Sequence, residues 1–131
     1  MDAIRHFVII DDEQINNTIC TVVLKRLVKD AVVNTFTNAR EGLKHLQETY
    51  SDKSHDHKVI FFLDLRMPEL TGWDVLDLYE EFHHEIKSRI KVYILSSSMA
   101  TDDMERARKN PHVIYYLVKP LTKESFNLIM M

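Results

Sequence analysis

Two hydrophobic periods alternate along the chain. Residues 7–10, 32–36, 59–63, 90–95 and 113–118 are short runs rich in β-branched and aromatic side chains, and they read as five strands. Phe7-Val8-Ile9-Ile10 and Val59-Ile60-Phe61-Phe62-Leu63 are unbroken and stopped by acid, the pattern of strands buried on both faces. Between the first two runs, Ile15, Ile19, Val22, Val23 and Leu27 recur at helical spacing and predict a helix over residues 14–29 on that stripe. Asn38 is placed to cap a second helix with Ala39, Leu43, Leu46 and Tyr50 on one face. Residues 51–58 are polar and read as a loop. Val75, Leu78, Tyr79, Phe82 and Ile86 predict a third helix, residues 102–109 a short fourth one, and Thr122 caps a last one. Five (βα) units of this kind imply a parallel sheet covered on both faces, with right-handed crossovers making a three-layer sandwich. In such sheets the working site lies at the carboxyl ends of the strands.

Composition narrows the chemistry. The chain has 131 residues, which fits one domain, with 45% hydrophobic and 28% charged residues. A net charge of −3 argues against a dedicated nucleic-acid binder. Cys20 is the single cysteine, so no intrachain disulfide and no cysteine-based zinc site can form, and a reducing, cytoplasmic setting is expected. No apolar stretch reaches the roughly 18 residues of a membrane span, and the first apolar run is too short for a signal peptide. The two glycines, Gly42 and Gly72, cannot write a dinucleotide-binding or Walker A loop. Phosphate, if handled here, must be held by side chains.

The strand ends supply them. The first strand runs into Asp11-Asp12-Glu13, the third into Asp64, the fourth into Ser96 and the fifth into Lys119. Three clustered carboxylates repel, by about 4 kcal/mol for a pair about 4 Å apart at an effective dielectric of 20. A divalent cation between them relieves this, and oxygen ligands at an open site suit Mg²⁺. A lysine and a hydroxyl beside the cation would neutralise phosphoryl oxygens, leaving one carboxylate free to attack phosphorus. The plainer alternative is that Asp11 or Asp12 caps the first helix and Lys119 is an ordinary strand-end residue.

Taken in order, Asp11-Asp12, the block Asp64-Leu65-Arg66-Met67-Pro68 with Gly72, Ser96, and Lys119-Pro120 resemble a response-regulator receiver domain of two-component signalling, of the stand-alone, chemotaxis type. The resemblance covers nearly the whole chain. It implies an α/β, flavodoxin-like (βα)5 doubly wound sandwich with strand order 2-1-3-4-5, and a single receiver domain over residues 1–131 with no output domain. It implies that Asp64 is the phospho-acceptor and that Mg²⁺ is held by Asp12, by Asp11 directly or through water, by Asp64 and by the Arg66 carbonyl. It further implies that Ser96 bonds a phosphoryl oxygen, that Lys119 pairs with the phosphate, and that the Lys119-Pro120 bond is cis. Tyr116 stands at the aromatic switch position that follows Ser96 on phosphorylation. The implied partners are a histidine kinase or histidine phosphotransfer protein and a downstream protein of unknown identity, with no direct nucleic-acid or membrane contact. A homodimer through the face made by the fourth helix, fifth strand and last helix is compatible with this reading.

Arg66 and Ser98, two residues beyond Asp64 and Ser96, stand where similar receivers tune water access; ordinary loop residues are the alternative. Trp73 reads as a packing residue at the site rim, and Cys20 as a small buried side chain. His55-Asp56-His57 and His83-His84 lack metal-binding helical spacing and read as solvated. Two rival functions are an Mg²⁺-dependent aspartyl-phosphate phosphatase and a phosphate-independent interaction module. Arg66 argues against the first, because it stands where such enzymes commonly carry a second acid.

Overall fold

The computed structural model describes residues 4–51 and 57–130. Five parallel strands, β1 (His6–Ile10), β2 (Val32–Phe36), β3 (Val59–Leu63), β4 (Ile90–Ser96) and β5 (Val113–Val118), pair in the order β2-β1-β3-β4-β5. Six helices connect and follow them: α1 (Gln14–Leu27), α2 (Ala39–Tyr50), α3 (Gly72–Glu80), α4 (His84–Lys87), α5 (Thr101–Lys109) and α6 (Lys123–Met130). The order reverses direction at β1, so β1 and β3 flank a topological switch point, where a cleft opens at their carboxyl ends.

The strand period of two builds two cores. Val8 and Ile10 point to one face of β1, where they join Leu43, Leu46, Val75, Tyr79 and Ala107 from α2, α3 and α5. Phe7 and Ile9 point to the other, against Cys20 and Leu24 of α1 and Phe126 of α6. All five residues of β3 are buried, as expected for a central strand. Each fully buried side chain of this size contributes about 1.5–3 kcal/mol. Asn38 caps α2 as its sequence predicts, accepting from the Glu41 amide at 3.0 Å, and Ala39, Leu43, Leu46 and Tyr50 are all buried. Thr122 Oγ1 accepts from the Ser125 amide at 3.1 Å at the start of α6.

Three expectations are corrected. The first helix buries Asn17, Cys20 and Leu24; of the predicted stripe, Val23 and Leu27 pack half-buried against that core, while Ile15, Ile19 and Val22 are exposed. Asn17 Nδ2 donates to the Asp11 carbonyl at 3.0 Å, and this bond helps set which face turns inward. The predicted third helix is two helices: α3 stops at Glu80, and His83 restarts the chain by accepting from the Glu85 amide. Ile86 still reaches the core, from α4. The fifth strand is not buried on both faces. As an edge strand it exposes Ile114, Tyr115 and Val118, and a bulge opposite Val92 and Tyr93 leaves Ile114 out of register. In the polar 51–58 loop, His55 and Asp56 lie outside the described residues; the described His57 stacks on His6.

Candidate functional site

Asp11 and Asp64 follow neighbouring strands, and backbone pairing aligns them: the Asp11 amide donates to the Phe36 carbonyl and the Asp64 amide to the Ile10 carbonyl, each at 3.0 Å. Both carboxylates are buried. Lys119 reaches them from the end of β5, where its amide donates to the Ser96 carbonyl at 2.9 Å and its peptide bond to Pro120 is cis. Its ammonium lies 2.6 Å from Asp11 Oδ2 and 3.5 Å from Asp64 Oδ2. Residues far apart in the chain thus form one charge cluster, as the strand-end reading expects.

The cluster sets its own protonation. Burial, and then the charge of Asp11, push the Asp64 carboxyl up to about 6, against the opposing pull of Lys119 and the Arg66 amide. Burial alone would lower the Lys119 ammonium, but its hydrogen bond to Asp11 and the charges of Asp64 and Asp11 together hold it above its ordinary value.

The acidic run after β1 is a cluster and not a helix cap. The N-cap of α1 is Glu13, which makes no side-chain capping bond. Asp11, Asp12 and Glu13 each offer a carboxylate oxygen, all within 4.8 Å of one another. Asp11 Oδ1 accepts from the Glu13 amide at 2.9 Å. Among the described residues no hydrogen-bond partner reaches the buried Asp12 Oδ1, an orphaned oxygen of the type a hard cation takes as ligand. The donor set is all oxygen and therefore fits Mg²⁺. Glu13 is a member of this cluster that the sequence reading left out of its ligand set; its adjacency to Asp12 was the available signal. Beside Asp12 a cleft of about 530 Å³ opens between the loop after β2 and the loop after β3.

Gly72 shapes the loop after β3. Its amide donates to the Leu65 carbonyl at 2.9 Å, and a Cβ there would lie 2.7 Å from the Asp64 carbonyl oxygen and 2.8 Å from Leu65 Cα. Only glycine allows this approach directly behind Asp64.

Ser96 is fully buried at the end of β4, and its hydroxyl accepts from the Ser98 amide at 3.2 Å. Tyr116 Oη donates to the Ser98 carbonyl at 2.7 Å, tying β5 to the loop after Ser96. The Arg66 amide points to Asp64 Oδ1 at 3.4 Å, while its guanidinium turns away to Asp103 Oδ2 at 2.5 Å. Ser98 Oγ donates to the same Asp103 oxygen at 2.6 Å. The Ser98 hydroxyl, and then Arg66, hold the Asp103 carboxyl below the usual range against the effect of burial. The guanidinium of Arg106 covers the Trp73 ring, 4.4 Å from its centroid. Arg66 and Ser98 are therefore partners through one carboxylate, 37 and 5 residues away in sequence, and nothing in the sequence pairs them.

Among the described residues, no helix is long and apolar enough to cross a membrane. A family model described as the response regulator receiver domain matches residues 7–129. The fold is similar to that of a two-component response regulator from Cytophaga hutchinsonii, at 27% identity and a TM-score of 0.86, covering 98% of this chain and 95% of that one. It is similar also to a response regulator receiver protein from Dyadobacter fermentans, at 27% identity and a TM-score of 0.84, covering 95% and 93%. A curated relative, a probable methanogenesis regulatory protein, FilR2, of Methanothrix harundinacea, is 42% identical over 62 residues. That match spans 47% of this chain and only 38% of the relative's length.

Proposed function

This chain belongs to the response regulator receiver domain family, and on that premise we propose that it accepts a phosphoryl group on Asp64 from a histidine kinase or histidine phosphotransfer protein and signals through a change of surface. The observation that carries the reading is the buried Asp64 carboxylate beside the Lys119 ammonium and the Asp11-Asp12-Glu13 cluster. An Asp64 oxygen attacks phosphorus of the donor phosphohistidine. The new O–P bond forms as the P–N bond breaks, and the imidazole leaves with its electron pair. Hydrolysis returns the site: a water oxygen attacks phosphorus, the acyl O–P bond breaks, and inorganic phosphate departs.

Asp12, Asp11, Asp64 and the Arg66 carbonyl would hold Mg²⁺, with Glu13 beside them. When bound, the cation supplies neutralisation of the phosphoryl oxygens. Lys119 is charged and already within reach of Asp64, so it exchanges a carboxylate partner for a phosphoryl oxygen as charge accumulates there. The Ser96 hydroxyl, which accepts from the Ser98 amide, keeps its proton to donate to a second phosphoryl oxygen. Tyr116 grips the loop just beyond Ser96, so a shift of that loop passes to β5. The exposed Ile114, Tyr115 and Val118, with a groove of about 270 Å³ against α5, form the surface offered to a downstream protein or to a second copy.

The test is incubation with acetyl phosphate and Mg²⁺, followed by intact mass. One added phosphate, absent in Asp64→Asn, is expected. No mass shift in folded, metal-supplied protein would sink the reading.

A further inference from the structure

Asp103 of α5 accepts at one carboxylate from two segments: Arg66 after β3 and Ser98 after β4. The Arg66 backbone lies against Asp64, since its amide points to Asp64 Oδ1. Only the direction of its side chain separates the guanidinium from the place where a phosphoryl group would stand. That side chain is two-thirds exposed, and Asp103 is its ion-pair partner among the described residues.

We propose that Asp103 is a positioning residue that holds Arg66 off Asp64 until the acyl phosphate forms, and then yields the guanidinium to it. The inference rests on Asp64 being the phospho-acceptor. A phosphoryl group carries more charge than a carboxylate and offers three oxygens, so it competes for a planar, two-pronged donor that sits two residues away. Once transferred, the guanidinium covers the phosphoryl oxygens and hinders attacking water. The same exchange removes the charge partner that anchors α5 to the loop after β3. Ser98 keeps its hydroxyl bond to Asp103 and its carbonyl bond from Tyr116, so the loop after β4 stays with α5. A change of charge at Asp64 is thereby converted into release of α5 from the loop after β3, and α5 is the helix that lines the exposed groove on β5.

Trp73 reports the exchange directly. It is the only tryptophan, and its ring lies under the guanidinium of Arg106, on the same helix as Asp103. The test compares wild type, D103A, D103E and the double variant R66A/D103A against R66A, each checked for folding by circular dichroism. Each is loaded with acetyl phosphate and Mg²⁺, and the phosphoryl lifetime and Trp73 emission are followed. In wild type, loading shifts Trp73 emission. In D103A the unloaded protein already shows the shifted emission, and the lifetime of the acyl phosphate rises by about tenfold, the scale of one charge-assisted hydrogen bond. D103E keeps the carboxylate and returns both readouts toward wild type. In the R66A background, D103A changes the lifetime by less than about twofold, because the group that Asp103 restrains is gone. A D103A lifetime within about twofold of wild type, or shorter, with an unchanged Trp73 response, overturns the latch while leaving Asp64 as acceptor. Lack of loading in wild type overturns the proposed function itself, and the latch with it. Should D103A fail to fold, S98A and D103N carry the same test by removing one bond or the charge alone.

Discussion

The ammonium of Lys119 lies 2.6 Å from Asp11 Oδ2, and both side chains are almost wholly buried at the switch point of the sheet. The ion pair is not there for stability alone. Desolvating two charges costs most of what their attraction returns, so such pairs persist where they hold a group ready.

Lys119→Met leaves Asp11 and Asp64 buried without their cation. The metal-free variant is expected to lose about 3 kcal/mol of stability, the cost of breaking a buried pair. Added Mg²⁺ should recover part of that loss, because a cation that binds only the folded state stabilises it. Urea midpoints with and without the metal check both statements.

The Asp64 carboxyl, pushed up to about 6 by burial and then by Asp11, makes a signed prediction. Its folded-state pKa exceeds the ordinary carboxylate value, so the folded protein keeps a proton that the unfolded chain gives up. The contribution to stability is fully present below about pH 4 and is lost as pH rises through about 6. Relative to Asp64→Asn, metal-free wild type should lose about 2–3 kcal/mol across that window. Mg²⁺ should flatten the difference. The comparison requires urea unfolding of both proteins at several pH values.

Gly72→Ala is expected to cost about 1–3 kcal/mol, and to slow phosphoryl acceptance more than its stability loss explains. The added Cβ meets backbone atoms of Asp64 and Leu65, which can give way only by moving the acceptor. Gly42→Ala is the comparison: its Cβ meets the buried Ile10 side chain and not the acceptor's backbone, so it overpacks the core and costs stability without slowing acceptance beyond that loss. Thermal melts and the rate of mass gain with acetyl phosphate separate the two.

The inward face of α1 can be read by substitution. Leu24→Ala removes a fully buried side chain and should cost about 2–5 kcal/mol. Ile15→Ser, at a position 73% exposed, should change stability by no more than about 0.5 kcal/mol. Equal effects in chemical denaturation would return the core to the Ile15 stripe.

That stripe shows where sequence reading stops. Ile15, Ile19 and Val22 fit a 3.6-residue period as well as Asn17, Cys20 and Leu24 do, and periodicity cannot choose between two faces of one helix. The choice falls to a tertiary bond, Asn17 to the Asp11 carbonyl, and to the fit of Cys20 and Leu24 against the β1 and α6 aromatics. In α2 the same method succeeds, because the only strongly apolar face is the buried one.

What the sequence determined by itself is the element order and the chemical groups at the strand ends. Unbroken apolar runs admit few structures besides central strands, and a charged residue after such a run has to lie at its end. Asp11, Asp12, Asp64, Ser96 and Lys119 are legible for that reason. The tertiary structure alone decided which of them touch, with Lys119 joining Asp11 to Asp64 and Tyr116 gripping Ser98 in place of Ser96. It alone brought Asp103 to Arg66 across 37 residues and left β5 exposed at the sheet edge. Those outcomes depend on how the crossovers stack the elements and on which strand ends the sheet. Local side-chain period carries no record of either.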